Sequence, residues 1–215
     1  MHAAVCSVAL LFGIVIAPAQ AEVAGKPFKI VALGDSLTAG LGLPASEGFV
    51  PRLQAALAAK GIAAEVVNAG VSGDTASDAL ARLDWSVPEN TDAVILEVGA
   101  NDMLRGLKPQ LTRAALDTIL QRLKERHVAV LLCGMRAAPN LGADYAAAFE
   151  GIYPALASKY DIPLYPFFLD GVAADLGRLQ RDGLHPNAAG VEVMVAGILP
   201  QVELLIAQIR DRRSS

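Results

Sequence analysis

The stretch "IVALGDSLTAGLGL", residues 30–43, sets four apolar residues before a Gly-Asp-Ser turn and then continues in small residues. A short apolar run that stops at a tight turn is the pattern of a buried strand delivering its last residues to a sheet edge. Ser36 stands at that turn, and two readings are open. It is either a nucleophile or the residue that caps the helix beyond it.

The same pattern recurs along the chain. "FKIVAL" (28–33), "AEVVNA" (64–69), "DAVILEV" (92–98), "VAVLLCG" (128–134) and "IPLYPFF" (162–168) are short apolar or β-branched runs. Between them, residues 48–60, 75–83, 111–126 and 144–159 fit helices. A last helix is expected over 186–209, with Pro186 in its first turn. In "LTRAALDTILQRLKER" the apolar residues Leu111, Ala115, Leu116, Ile119, Leu120 and Leu123 recur at helical spacing. Strands alternating with helices predict an α/β fold, a three-layer α/β/α sandwich around a five-stranded parallel sheet. Right-handed crossovers favour the flavodoxin-like strand order 2-1-3-4-5.

With 215 residues, 53% of them hydrophobic and 19% charged, the composition is that of a folded chain with a sizeable core. The net charge of -4 comes without a Lys/Arg cluster, so nucleic acid is not expected as a partner. Residues 1–21 hold no charged side chain, have an apolar centre over 5–16 and end in "APAQA". That is the pattern of a cleaved secretory signal, leaving one domain over 22–215 in the periplasm or outside the cell. The apolar stretch is short for a spanning helix, so no stable membrane insertion is expected after cleavage. Cys6 leaves with the signal, and Cys133, closing the run "VAVLLC", is expected as a small buried core residue.

In the proposed strand order the loops after strands 1, 2 and 3 are neighbours, and they carry the chemistry. They are "GDSL" with Ser36, "NAGVSGDT" with Gly73 and "VGANDMLRG" with Asn101; near the carboxyl end, "RDGLHPNAAG" carries Asp182 and His185. Ligands of open α/β sheets bind at such a switch point. The glycines match neither a Walker loop nor a dinucleotide fingerprint. Ser36 and Ser72 also fail the Gly-x-Ser-x-Gly elbow.

A serine hydroxyl needs a base, and the base needs an orienting group. His2 belongs to the signal, and His127 is explained as a cation at a helix carboxyl end. His185 remains, with the Asp182 carboxylate three residues upstream. For a developing oxyanion three donors are at hand: the backbone amides of Ser36 and Gly73 and the side-chain amide of Asn101.

Taken as four ordered blocks, Ser36, Gly73, Asn101 and His185, with Asp182 in the Asp-x-x-His-Pro element, resemble the SGNH, or GDSL, hydrolases. The likeness is greatest to the secreted bacterial group of arylesterases and multifunctional acyl-CoA thioesterase I/lysophospholipase L1 enzymes. It runs from "IVALGDSLTAG" to "DGLHPNAAG", with Ala100 standing where many relatives carry glycine. The resemblance implies hydrolysis of a small-molecule acyl ester or thioester through an acyl-Ser36 intermediate, without metal or organic cofactor. It also implies that "GMRAAPNLGADY" (134–145) borders the acyl group, where Met135, Ala137, Ala138, Pro139 and Leu141 either contact that group or pack the loop itself. Two other readings stand beside it, a carbohydrate O-deacetylase and a secreted binding protein without activity.

Overall fold

Five parallel strands in the order β2-β1-β3-β4-β5 form the centre of the molecule. The structure is a computed structural model, and it describes residues 26–214. The proposed signal over 1–21 lies outside the described residues. The strands are β1 (Phe28–Gly34), β2 (Ala64–Gly70), β3 (Ala93–Glu97), β4 (Ala129–Cys133) and β5 (Leu164–Tyr165). The three inner strands are almost wholly buried, whereas β2 and β5 at the edges are half-exposed. That difference follows from helices covering both faces of a parallel sheet.

Register decides where the loops go. In the ladders Gly34 stands level with Gly70 on one side and with Glu97 on the other. Three successive strands therefore end at one height, and the segments after them emerge side by side.

The helices are α1 (Ser36–Ala39), α2 (Phe49–Ala59), α3 (Ala76–Ala81), α4 (Leu83–Ser86), α5 (Ala100–Leu104), α6 (Pro109–Glu125), α7 (Ala143–Glu150), α8 (Ile152–Tyr160) and α9 (Ala188–Ser214). Each long helix seals the core with one face. From α6 come Leu116, Ile119, Leu120 and Leu123; from α9 come Val191, Met194, Ile198, Val202 and Leu205. The last helix is long and apolar enough to cross a membrane, yet it packs on α2 and β4. Cys133 is fully buried and unpaired.

Several elements depart from the sequence pattern, each for a local reason. The expected strand over 162–168 shrinks to Leu164–Tyr165 because prolines flank it, and Pro166 has no N–H for the ladder. The expected helix over 144–159 divides at Gly151, since the Pro154 ring cannot pass the Glu150 carbonyl one turn back. The helix over 75–83 breaks at Arg82, which turns its side chain inward. The final helix starts at Ala188, not at Pro186. Pro186 instead bridges to Leu179, and the Asn187 side chain accepts from the Gly190 amide at 3.0 Å. Helices α1 and α5, four and five residues long, are too short to show periodicity.

The approach of α1 to β2 is so close that position 70 admits only glycine. A Cβ there would lie 2.3 Å from the Ala39 backbone nitrogen. Gly70→Ala is expected to lower stability by about 1–3 kcal/mol, the cost of overpacking a rigid contact, and denaturant unfolding will measure it.

Candidate active site

At the end of β1 the chain turns through Asp35, and Asp35 rather than Ser36 caps α1. Its Oδ1 accepts from the Leu37 amide at 3.0 Å. The Ser36 hydroxyl is thereby left free of the turn, with its oxygen 2.9 Å from His185 Nε2. Ser36 keeps only 8% of its surface exposed, so this hydrogen bond is largely shielded from water.

His185 arrives on a narrow loop before α9. The Gln180 amide donates to the His185 carbonyl at 2.7 Å, and Gly183, with φ 70°, makes the turn between them. Asp182 holds the loop and the ring together. Its Oδ1 accepts from the Leu184 and His185 amides, both at 3.0 Å, and its Oδ2 lies 2.7 Å from His185 Nδ1. The two backbone donors, followed by the imidazole, hold the Asp182 carboxyl down at about 2. An ionised Asp182 can only accept, so Nδ1 carries the hydrogen and Nε2 is left to accept from Ser36. Gln180 then ties this loop to the one after α1, donating to the Leu41 carbonyl at 2.7 Å. Nothing in the spacing of the sequence marks Gln180 for this work.

Gly73, Asn101 and the Ser36 amide come together as expected from the strand order. Gly73 adopts φ 91°, a region that disfavours any side chain, and its carbonyl accepts from Arg105 Nη2 at 2.7 Å. The backbone N–H groups of Ser36 and Gly73 have no acceptor among the described residues. Asn101 differs. Its Nδ2 donates both hydrogens, one to Asp35 Oδ2 at 3.1 Å and one to the Asp74 carbonyl at 3.0 Å. The amide is thus oriented at both ends before any ligand arrives.

Behind these groups lies a buried polar layer that the sequence pattern does not reveal. Arg82 donates to the carbonyls of Gly34 and Ala69, each at 2.9 Å, and pairs with Asp74 Oδ2 at 2.5 Å. One guanidinium so fastens the ends of β1 and β2 to the Gly73 loop. Asp102 joins α5 to α3 and α6 by accepting from the Ala76 amide at 2.9 Å and the Thr112 hydroxyl at 2.8 Å. Glu97 is fully buried at the end of β3, where its Oε2 accepts from the Thr38 hydroxyl at 2.8 Å and the Asp35 amide at 3.3 Å. Burial pushes the Glu97 carboxyl well up, and it raises Asp35 to about 6. Strand residues that are polar and wholly buried were the one available signal, and Glu97 in "VILEV" was such a residue.

The relay opens onto a cavity of about 550 Å³ with mostly apolar walls. Ser36, Asn101 and His185 stand on its wall beside Met103, Leu104, Phe167 and Leu169. Of the loop residues expected there, Met135, Ala137, Ala138 and Pro139 line it. Leu141 does not: it packs against the core instead, because the 3-10 turn Pro139–Leu141 carries it away from the opening. His127 lies at the other edge of the sheet, on the left-handed turn between α6 and β4. Among the described residues no group of three His, Cys, Asp or Glu side chains is placed to hold a metal ion.

Residues 32–193 match the model of the GDSL-like Lipase/Acylhydrolase family. The chain is 39% identical over 178 residues to Esterase TesA of Pseudomonas aeruginosa, covering 82% of this chain and 89% of that one. It is 38% identical over 178 residues to Thioesterase 1/protease 1/lysophospholipase L1 of Escherichia coli K12, with 82% and 84% covered. Among solved structures, TesA superposes with a TM-score of 0.79 at 38% identity, covering 82% of this chain and 99% of that one. AlinE4, an SGNH-hydrolase family esterase, does so with a TM-score of 0.71 at 47% identity, covering 83% and 96%.

Arg105 is the donor that holds the Gly73 carbonyl, and its side chain is otherwise in solvent. Arg105→Ala is expected to speed amide hydrogen exchange across residues 71–74 while leaving the exchange of β1 and β3 and the unfolding midpoint unchanged. Hydrogen-exchange mass spectrometry of the two proteins will show it.

Proposed function

Because the chain belongs to the GDSL-like Lipase/Acylhydrolase family, we propose that it is a serine esterase acting through Ser36, on carboxylic esters and thioesters. The observation that carries this reading is the unbroken relay from Asp182 to His185 to Ser36, at 2.7 and 2.9 Å, ending at the wall of an apolar cavity.

His185 Nε2 takes the hydroxyl proton as Ser36 Oγ attacks the acyl carbonyl, and Asp182 stabilises the imidazolium that forms. Negative charge then gathers on the carbonyl oxygen. The free amides of Ser36 and Gly73 meet it, and Asn101 joins them by exchanging its bond to the Asp74 carbonyl for one to the oxyanion. His185 returns the proton to the leaving group, and water, deprotonated by the same imidazole, releases the acid from Ser36.

Aryl esters, acyl-CoA thioesters and lysophospholipids are the substrate classes that this reading includes. They are supported by the esterase and thioesterase/lysophospholipase names of the relatives, and by that of the Arylesterase of Vibrio mimicus, 38% identical over 160 residues, with 74% of this chain and 80% of that one covered. Among the described residues Phe167 is the one carbocyclic ring along the cavity, a poor platform for sugar stacking, so an aliphatic or aryl acyl group fits better than an acetylated sugar. Export belongs to the same proposal, on the strength of the apolar centre and A-x-A pattern of residues 1–21.

Two outcomes are expected. With p-nitrophenyl esters of increasing length, Ser36→Ala lowers kcat by about 10³-fold or more and abolishes labelling by a fluorophosphonate, whereas Asn101→Ala lowers kcat by about 10²–10³-fold. Persistent labelling of Ser36→Ala would remove Ser36 from the role. As for pH, the rate falls from alkaline to acid conditions, because a protonated His185 cannot accept the proton of Ser36. Asp182 adds nothing to that fall. Its carboxyl is depressed, so its contribution is present above its ordinary 3.8 and is lost only as pH drops through about 2. Asp35, raised to about 6, gains a proton as the pH falls through that value and weakens its hold on Asn101 in the same direction. A rate flat across the range would contradict the assignment of the base.

A further inference from the structure

The cavity beside Ser36 has one charged wall residue that the proposed chemistry does not use. Arg136 follows β4 on the loop that also supplies Met135, Ala137 and Pro139, and it lines the same cavity as Ser36 and His185. Its guanidinium lies 4.7 Å from the centre of the Phe167 ring, itself a wall residue. That packing covers one face of the guanidinium of an exposed side chain. Among the described residues Arg136 forms no ion pair. Glu150 Oε1 accepts from the Ala137 amide at 3.1 Å. Among the described residues no Asp or Glu lines the cavity.

A mostly apolar wall with one fork of cationic N–H donors, stacked on Phe167 and outside any ion pair among the described residues, is complementary to an amphiphile with an anionic end. We propose that Arg136 forms an anion subsite that selects esters carrying a carboxylate, sulfonate or phosphate group. The proposal rests on the esterase reading and narrows its substrate class. The anion can sit at the far end of the acyl chain or on the leaving group. Both present the same acceptor oxygens to the guanidinium, and the two sources are separable with matched substrates.

The experiment compares three esters on the wild type, Arg136→Gln and Arg136→Glu. They are p-nitrophenyl hexanoate, which is neutral; mono-p-nitrophenyl adipate, anionic at the acyl end; and the hexanoate ester of 4-hydroxybenzenesulfonate, anionic on the leaving group. Relative to the neutral ester, Arg136→Gln is expected to raise KM for one of the anionic esters about fivefold, the loss of an ion pair of about 1 kcal/mol at a partly exposed site. Arg136→Glu raises it further, and kcat on the neutral ester stays within about twofold in both variants. Added salt shrinks the wild-type preference and leaves the Arg136→Gln ratio unchanged. The anionic ester that responds identifies the source of the anion. If all three esters are hydrolysed and the KM ratios of both variants stay within about twofold of wild type, the subsite is refuted while the esterase stands. If none of the three is hydrolysed, the esterase reading falls and the subsite with it.

Discussion

The level ending of β2, β1 and β3 is the constraint on which everything else in this molecule depends. Parallel pairing sets Gly34 beside Gly70 and beside Glu97, so the three loops that follow begin side by side. A shift of one residue in either ladder would exchange the two faces of a strand and displace one loop from the others. Burial of both faces of β1 and β3 therefore holds the site in place as firmly as it holds the core. The site inherits its precision from hydrophobic packing.

What the ladders bring near, buried polar groups lock. Arg82 reaches the ends of β1 and β2 and the Gly73 loop at once, and Asp102 reaches two helices, α3 and α6, from α5. Taking such charges out of water is costly, and the cost is offset only while every partner is present. Removing one partner leaves the others unpaired in a poor solvent. These groups thus give the loops few alternative arrangements. Rigid donors aimed in advance at the place where charge will develop are what an oxyanion requires.

The carboxylates divide by surroundings. Asp182, near the surface with two backbone donors, is held ionised and serves as an acceptor for His185 Nδ1. Asp35 and Glu97, deep behind Ser36, are pushed toward the neutral form by burial. One residue type performs two tasks, orientation of a base and support of a turn, because hydration and backbone donors differ between the two places.

Apolar runs of six or seven residues, broken by turns, were enough to place the strands, their order and the loops that carry Ser36, Gly73, Asn101 and His185. This was legible because burial on both faces leaves a periodic mark on the sequence itself. Asp182 was legible as well, since its partner is three residues away and a local turn suffices to join them. The division of 144–159 at Gly151 and the shortening of β5 were written in Pro154, Pro163 and Pro166, whose missing N–H groups outweigh an otherwise regular pattern. Other facts leave no such mark. That Arg82 fastens Gly34, that Gln180 holds Leu41 and that Arg136 stacks on Phe167 all depend on partners tens of residues apart in the chain. The sequence by itself determined which residues meet at the sheet edge, because periodicity is local. Only the tertiary structure decided which atom of each faces which, because a hydrogen bond depends on distance and direction across the fold.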